Sequence, residues 1–326
     1  MSQRSLRLIN DQEAISLLDL DRAYDAIRDA YVQAATLPPV LSSPSAQLMK
    51  HPSAPAVAMK VKGAQLPSQR VAGFRLVGDF DAEGGEISHD FQWLADMDTA
   101  MPYAMVEMLT LHTVRTAITG VVALEAIHGS GAKRIALIGA GKIADQAVAV
   151  LRRRFALDEI RVAASRSERA VAFAANHCGN VVGCASIDEA IGGAEAVLSI
   201  TSASSPILFG AQLRPGMTLV GMGGSYECDL SMLEAADRFY VDDMNYACVS
   251  GSLGAWVKRG LITAQAAQAR VNAELGQIVG GLARVERSPT DRVFTIVQGM
   301  ACCDLALAAD IAARAAERGI GRVVGV

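Results

Sequence analysis

The sequence predicts an α/β protein in which a doubly wound parallel sheet follows a smaller α+β part. Three observations predict it. An apolar run, a glycine turn and a helical run succeed one another from Arg134 to Phe155. After them, short apolar segments alternate with helical ones, the pattern of a parallel sheet covered by helices. Before residue 129 the extended segments instead follow each other across turns, which is the pattern of an antiparallel meander.

The elements follow in order. Asn10 can cap a helical turn with Glu13 three positions on, and Asp21 opens a run in which Ala23, Ile27, Tyr31 and Ala34 recur at helical spacing. Residues 37–55 are rich in Pro and Ser and read as a loop. Residues 56–63 alternate as a strand, with Lys60 and Lys62 on one face, and further strands are expected at 71–80 and 90–97 across the turn AEGGE. A long helix is expected from Glu107 to His128. Beyond Gly129-Ser130-Gly131, strands are expected at 134–138, 159–164, near Val181, at 196–200 and at 218–222, with helices at 145–155, 168–177 and 187–191 between them. An Ala-rich helix is expected from Asp291 to Arg318, ended by Gly319.

Composition narrows the function. The 326 residues carry 30 Lys+Arg against 34 Asp+Glu, a formal charge of −4, and 51% are hydrophobic, so the chain can bury two cores and offers no basic footprint for nucleic acid or an anionic membrane. No early stretch has signal-peptide character and none approaches a membrane span, so a cytoplasmic protein is expected. The six cysteines form no C-x-x-C and the five histidines are scattered singly; neither a disulfide framework nor a metal site is expected.

The turn Gly139-Ala140-Gly141-Lys142-Ile143-Ala144 is a G-x-G-x-x-A sequence between strand and helix, as in a Rossmann-type dinucleotide site. Gly139 permits the tight turn, Gly141 lets the backbone approach a pyrophosphate, and Ala144 allows close helix–strand packing, while the helix N-terminus offers free N–H groups to the phosphates. The next strand ends in Ser165-Arg166-Ser167, with no acid to bond the ribose 2′-hydroxyl. A guanidinium and two hydroxyls suit a 2′-phosphate, so NADP(H) is favoured and NAD(H) is possible.

Several segments together resemble the ornithine cyclodeaminase/mu-crystallin family. They are Met59-Lys60-Val61-Lys62-Gly63, Arg115-Thr116-Ala117, Ala136 to Gly141, Gly276 to Gly281, Arg287-Ser288-Pro289, and Gln298-Gly299-Met300-Ala301 running into Asp304, in family order across nearly the whole chain. The resemblance implies a homodimer in which residues 1–128 plus 300–326 form a substrate-binding and dimerisation domain, and residues 129–299 bind NAD(P). It implies hydride exchange with the α-carbon of a small amino or imino acid. Lys60 and Arg115 match the family's basic residues and would orient the substrate carboxylate. Thr201, Met222 and Asp304 join the expected cofactor contacts.

The departures from the family pattern matter as much. The cyclodeaminases carry a catalytic Asp after the fifth strand, where this chain has Gly221-Met222-Gly223-Gly224-Ser225-Tyr226-Glu227. The loop 41–49 lacks the Arg that helps them hold the carboxylate. Glu107 and His112 stand at the usual Asp and Thr positions of the R-T-A helix, with Glu107 free to orient Lys60 or Arg115. His112 precedes Arg115 by three residues, hence on the same helical face, and its ordinary pKa near 6.5 suits proton exchange. A pocket wall of Phe74, Arg75, Trp93, Met222 and Tyr226 is expected. The leading expectation is NADPH-dependent reduction of a small α-imino acid. One alternative is an NAD-dependent lyase taking L-ornithine to L-proline and ammonia; another is a non-catalytic NADPH-dependent ligand-binding protein.

Overall fold

A computed structural model describes residues 5–37, 40–43, 45–51, 57–82 and 85–325. Ala56 at the start of an expected strand, and Glu83 and Gly84 of the expected turn, lie outside the described residues. The chain forms two compact units, residues 1–115 with 300–326 and residues 116–299, and the division falls inside the helix Leu109–His128.

In chain order the first strands are β1 (Ser5–Ile9), β2 (Gln47–Lys50), β3 (Val57–Leu66), β4 (Val71–Ala82), β5 (Gly85–Asp96) and β6 (Pro102–Glu107). Then come β7 (Arg134–Ile138), β8 (Glu159–Ala163), β9 (Val181–Gly183), β10 (Ala196–Ser199) and β11 (Thr218–Gly221). The last are β12 (Arg238–Val241), β13 (Ala273–Glu274), β14 (Val293–Ile296) and β15 (Arg322–Gly325).

The first unit holds a seven-stranded sheet in the order β15-β1-β6-β5-β4-β3-β2, antiparallel except where β1 runs beside β6. Asn10 caps the helix Asp11–Ser16 through the Asn10–Glu13 capping box, and Asp19 caps the helix Leu20–Thr36. That second helix buries Ala23, Ile27 and Tyr31 of the expected stripe, with Tyr24 and Ala30 beside them, while Ala34 near its end is only partly buried, and it packs on the C-terminal helix Ala301–Arg318. The C-terminal helix also lies on β3, β4 and β5, close enough that a Cβ on Gly73 of β4 would strike Leu305. It ends at Gly319, whose φ of +66° suits glycine.

The second unit is an eight-stranded sheet in the order β13-β12-β14-β11-β10-β7-β8-β9, parallel throughout. Strand order reverses between β7 and β10, the switch point where doubly wound sheets bind ligands at the carboxyl ends. Its strands are nearly continuous apolar runs because helices cover both faces, and Phe239 stacks on Phe294 at 5.5 Å in a core that includes Trp256. Among the described residues no helix is long and apolar enough to cross a membrane.

Three expectations are corrected. The loop 37–55 contains the short exposed strand β2, recruited by pairing with β3. Glu107 ends β6, and the helix starts only at Leu109. The last expected helix is interrupted at its start: Val293-Phe294-Thr295-Ile296 is the fully buried strand β14 between β11 and β12, and Gly299, at φ +77°, precedes the helix proper. Four consecutive apolar residues carry no periodicity that separates buried strand from helix.

Candidate active site

In the first unit, β3, β4, β5 and the two long helices converge their charged side chains. Arg75 on β4 is 5% exposed, and its Nε donates to Asp90 Oδ1 at 2.7 Å while Nη2 donates to the other oxygen of the same carboxylate. Its Nη1 reaches Asp304 Oδ1 at 3.4 Å. Arg115 is 2% exposed; its Nε donates to Asp304 Oδ1 at 2.6 Å and its Nη2 to His112 Nδ1 at 3.1 Å. Nη1 of Arg115 has no hydrogen-bond acceptor among the described residues, so that edge of the fork keeps its donors. Asp304 is 0% exposed, and its Oδ2 has no hydrogen-bond partner among the described residues.

Electrostatics explain why these groups can be buried. Burial alone would push the Asp304 carboxyl up, but Arg115 and Arg75, with His112 and Lys62 behind them, hold it well below the usual carboxylate range. Burial likewise opposes the charge on Arg75, and the attraction and hydrogen bonds of Asp304 and Asp90 outweigh it and raise the guanidinium above its ordinary value. His112 is driven the other way: burial first, then Arg75, Arg115 and Lys62, hold it well below 6.5 against the opposing pull of Asp304. It is therefore neutral at neutral pH. With Nδ1 accepting from Arg115, the proton sits on Nε2. This corrects the reason for choosing His112, because a histidine titrating near 6.5 is absent from this place; what stands here is a hydrogen-bond acceptor that orients Arg115.

Lys62 is buried, faces Arg75 across the β3–β4 ladder, and acts electrostatically on both Asp304 and His112. Lys60 lies one pleat away opposite Val77 and is half-buried, so the cluster gathers Lys62 rather than Lys60. Asp304, expected at the cofactor, has its Oδ1 committed to Arg115 and Arg75. Glu107 accepts from the Asp11 backbone N–H at 2.9 Å instead of orienting a cation. The expected pocket wall divides: neighbours on a strand point to opposite faces, so Arg75 enters the cluster while Phe74 stacks on Trp93 on the other side of the sheet. That face also leaves Met49, Met59 and Phe74 exposed and borders a cavity of about 450 Å³ lined by Leu41, Phe74, Trp93 and Met97.

In the second unit, Gly139 has a φ of +117°, and a Cβ there would overlap the carbonyl oxygen of Ile200. Gly141 differs: a Cβ there meets nothing within 4 Å, which leaves its backbone open to a phosphate. Ala144 is a buried residue in the first turn of the helix Lys142–Arg154, so the turn fits the dinucleotide group it would hold. Ser165 and Arg166 are exposed after β8, and Ser167 opens the next helix. Thr201 follows β10 and donates its hydroxyl to Glu227 at 2.8 Å. Met222 is buried with its sulfur over Gly120, where no Cβ would fit, and Tyr226 is buried beside Arg259, whose guanidinium carbon lies 4.5 Å from the ring centroid. Sequence reasoning missed Asp90 and Glu227. Asp90 becomes visible only once the register places it one pleat from Arg75.

Residues 16–319 match the sequence profile of the ornithine cyclodeaminase/mu-crystallin family. The chain belongs to this family. It is 29% identical over 220 residues to the ketimine reductase mu-crystallin of Mus musculus, covering 66% of each chain. It is 28% identical over 242 residues to a Delta(1)-pyrroline-2-carboxylate reductase of Bacillus cereus, covering 70% of this chain and 71% of that one. The chain spans 54–66% of the length of the mammalian mu-crystallins it matches. The structure of the Thermococcus litoralis Delta(1)-pyrroline-2-carboxylate reductase with NADH and L-proline superposes with a TM-score of 0.85 at 17% identity, over 97% of this chain and 99% of that one. The superposition shows that the two chains share a fold over nearly their whole lengths.

Proposed function

We propose that the protein reduces a small α-imino acid with NADPH, its first unit holding the substrate carboxylate and its second the dinucleotide. The observation that carries this reading is Arg115. A buried guanidinium, fixed by Asp304 at 2.6 Å and His112 at 3.1 Å with Nη1 still offering its donors, is prepared for an anion. Lys62 adds a second positive charge beside it. A bound reduced nicotinamide supplies the hydride. The chain's residues orient the acceptor: Arg115 sets the carboxylate, and thereby the adjacent imine carbon, while Asp304 and neutral His112 keep the guanidinium from turning. The names of the mouse and Bacillus relatives support the same reaction class.

The Ser165-Arg166-Ser167 end of β8 supports NADPH over NADH, since it presents one cation, two hydroxyls and no acid. The apolar sheet face bearing Met49, Met59 and Phe74 supports a homodimer through a second copy, and light scattering that returns the mass of one chain would remove that part.

The test follows NADPH absorbance with α-keto acids plus ammonia or methylamine, beside ornithine with NAD. NADPH consumption with keto acid and amine, and none with ornithine, is the expected result. Ornithine converted to proline would overturn the reading in favour of a lyase. Tight NADPH binding without turnover on any substrate would overturn it in favour of a ligand-binding protein. Arg166→Ala should lower the NADPH-over-NADH preference about tenfold or more, the loss of a charge-assisted hydrogen bond of about 1.5–3 kcal/mol.

A further inference from the structure

Glu227, in the loop after β11, is 0% exposed. Its Oε2 accepts the hydroxyls of Ser199 and Thr201, each at 2.8 Å, and its Oε1 accepts the backbone N–H of Gly223 at 2.6 Å. Ser199 ends β10 and Gly223 lies just beyond β11, so one side chain ties together the carboxyl ends of two adjacent parallel strands. The backbone is shaped around it: a Cβ on Gly223 would run into the Glu227 carboxyl group.

In this sheet the adenosine ribose is read at the end of β8, on one side of β7, and the pyrophosphate at the turn after β7. The remaining half of the dinucleotide therefore lies on the other side, over the ends of β10 and β11. We propose that Glu227 is a positioning residue that sets the nicotinamide half of the dinucleotide site by clamping the ends of β10 and β11. This rests on the dinucleotide reading above. A buried carboxylate is a costly way to gain stability alone, since a well-packed apolar side chain does as well or better. Its three converging donors define backbone placement instead.

The test measures the binding of NADPH and of 2′-phospho-ADP-ribose, which lacks the nicotinamide, to the wild type, Glu227→Gln and Glu227→Ala, with melting temperatures alongside. Gln keeps the shape and one acceptor oxygen, so it guards against a variant that fails to fold. NADPH affinity should fall about tenfold or more in Glu227→Ala and less in Glu227→Gln, while the fragment stays within about twofold of wild type in whichever variant folds. Equal NADPH affinity in variant and wild type overturns the clamp alone. Loss of both probes in both variants overturns it in favour of a general structural role. A wild type that binds neither probe overturns the dinucleotide reading, and the clamp with it.

Discussion

Arg115→Ala should lower kcat/KM on the imino acid by about a thousandfold and destabilise the first unit, the consequence of truncating one partner of a buried, hydrogen-bonded charge pair, which costs about 2–5 kcal/mol. Among the described residues, Asp304 would keep only the 3.4 Å contact to Arg75 Nη1 as a charged hydrogen-bond partner. Breaking a buried pair leaves the remaining charge uncompensated, at about 3–5 kcal/mol, so the melting temperature should fall as well. Arg115→Lys separates the two effects. It keeps the charge that Asp304 needs but cannot bond Asp304 and His112 while presenting a third edge to substrate, so stability should recover more than activity. Kinetics measured well below the melting temperature decide the matter. An Arg115→Ala enzyme with wild-type kcat/KM would remove the carboxylate anchor.

The second large effect separates two glycines of one turn. Gly139→Ala should cost several kcal/mol: the residue sits at φ +117°, where side chains are rare, and the new methyl would overlap the Ile200 carbonyl. Gly141→Ala should leave stability within about 1 kcal/mol of wild type, because Gly141 caps its helix at φ −103° with open space around the missing Cβ. It should nevertheless lose NADPH binding, since the methyl would occupy the approach to the pyrophosphate. Thermal melts and NADPH titrations of the two variants check this. A Gly141→Ala protein that binds NADPH as tightly as wild type would contradict the role of the turn.

Sequence reasoning reaches furthest where the chemistry is local. The glycine turn, its flanking strand and helix, and the cap at Asn10 depend on neighbours within a few residues, so spacing alone reveals them. Reasoning by spacing weakens where partners are distant. Arg75 and Asp304 are 229 residues apart, and Arg115 and Asp304 are 189 apart. Lys60 and Lys62 are equivalent in the sequence pattern, and only the pairing of Lys62 with Arg75 under the C-terminal helix distinguishes them. Glu227 closes the segment 221–227 that lacks an Asp, yet nothing in its neighbourhood discloses that its carboxylate turns back to Ser199 and Thr201.

By itself the sequence determined an α/β family member with a dinucleotide turn and an R-T-A helix, because backbone preference and hydrophobic period act over a turn or a pleat. Tertiary structure decided which charges are buried together and how they ionise. Burial and the fields of Arg75, Arg115 and Lys62 hold His112 neutral and Asp304 ionised, and no single segment contains those fields. Ionisation in a protein interior depends on all the charges within a few ångströms, and folding assembles them from β3, β4, β5 and two helices far apart in the chain.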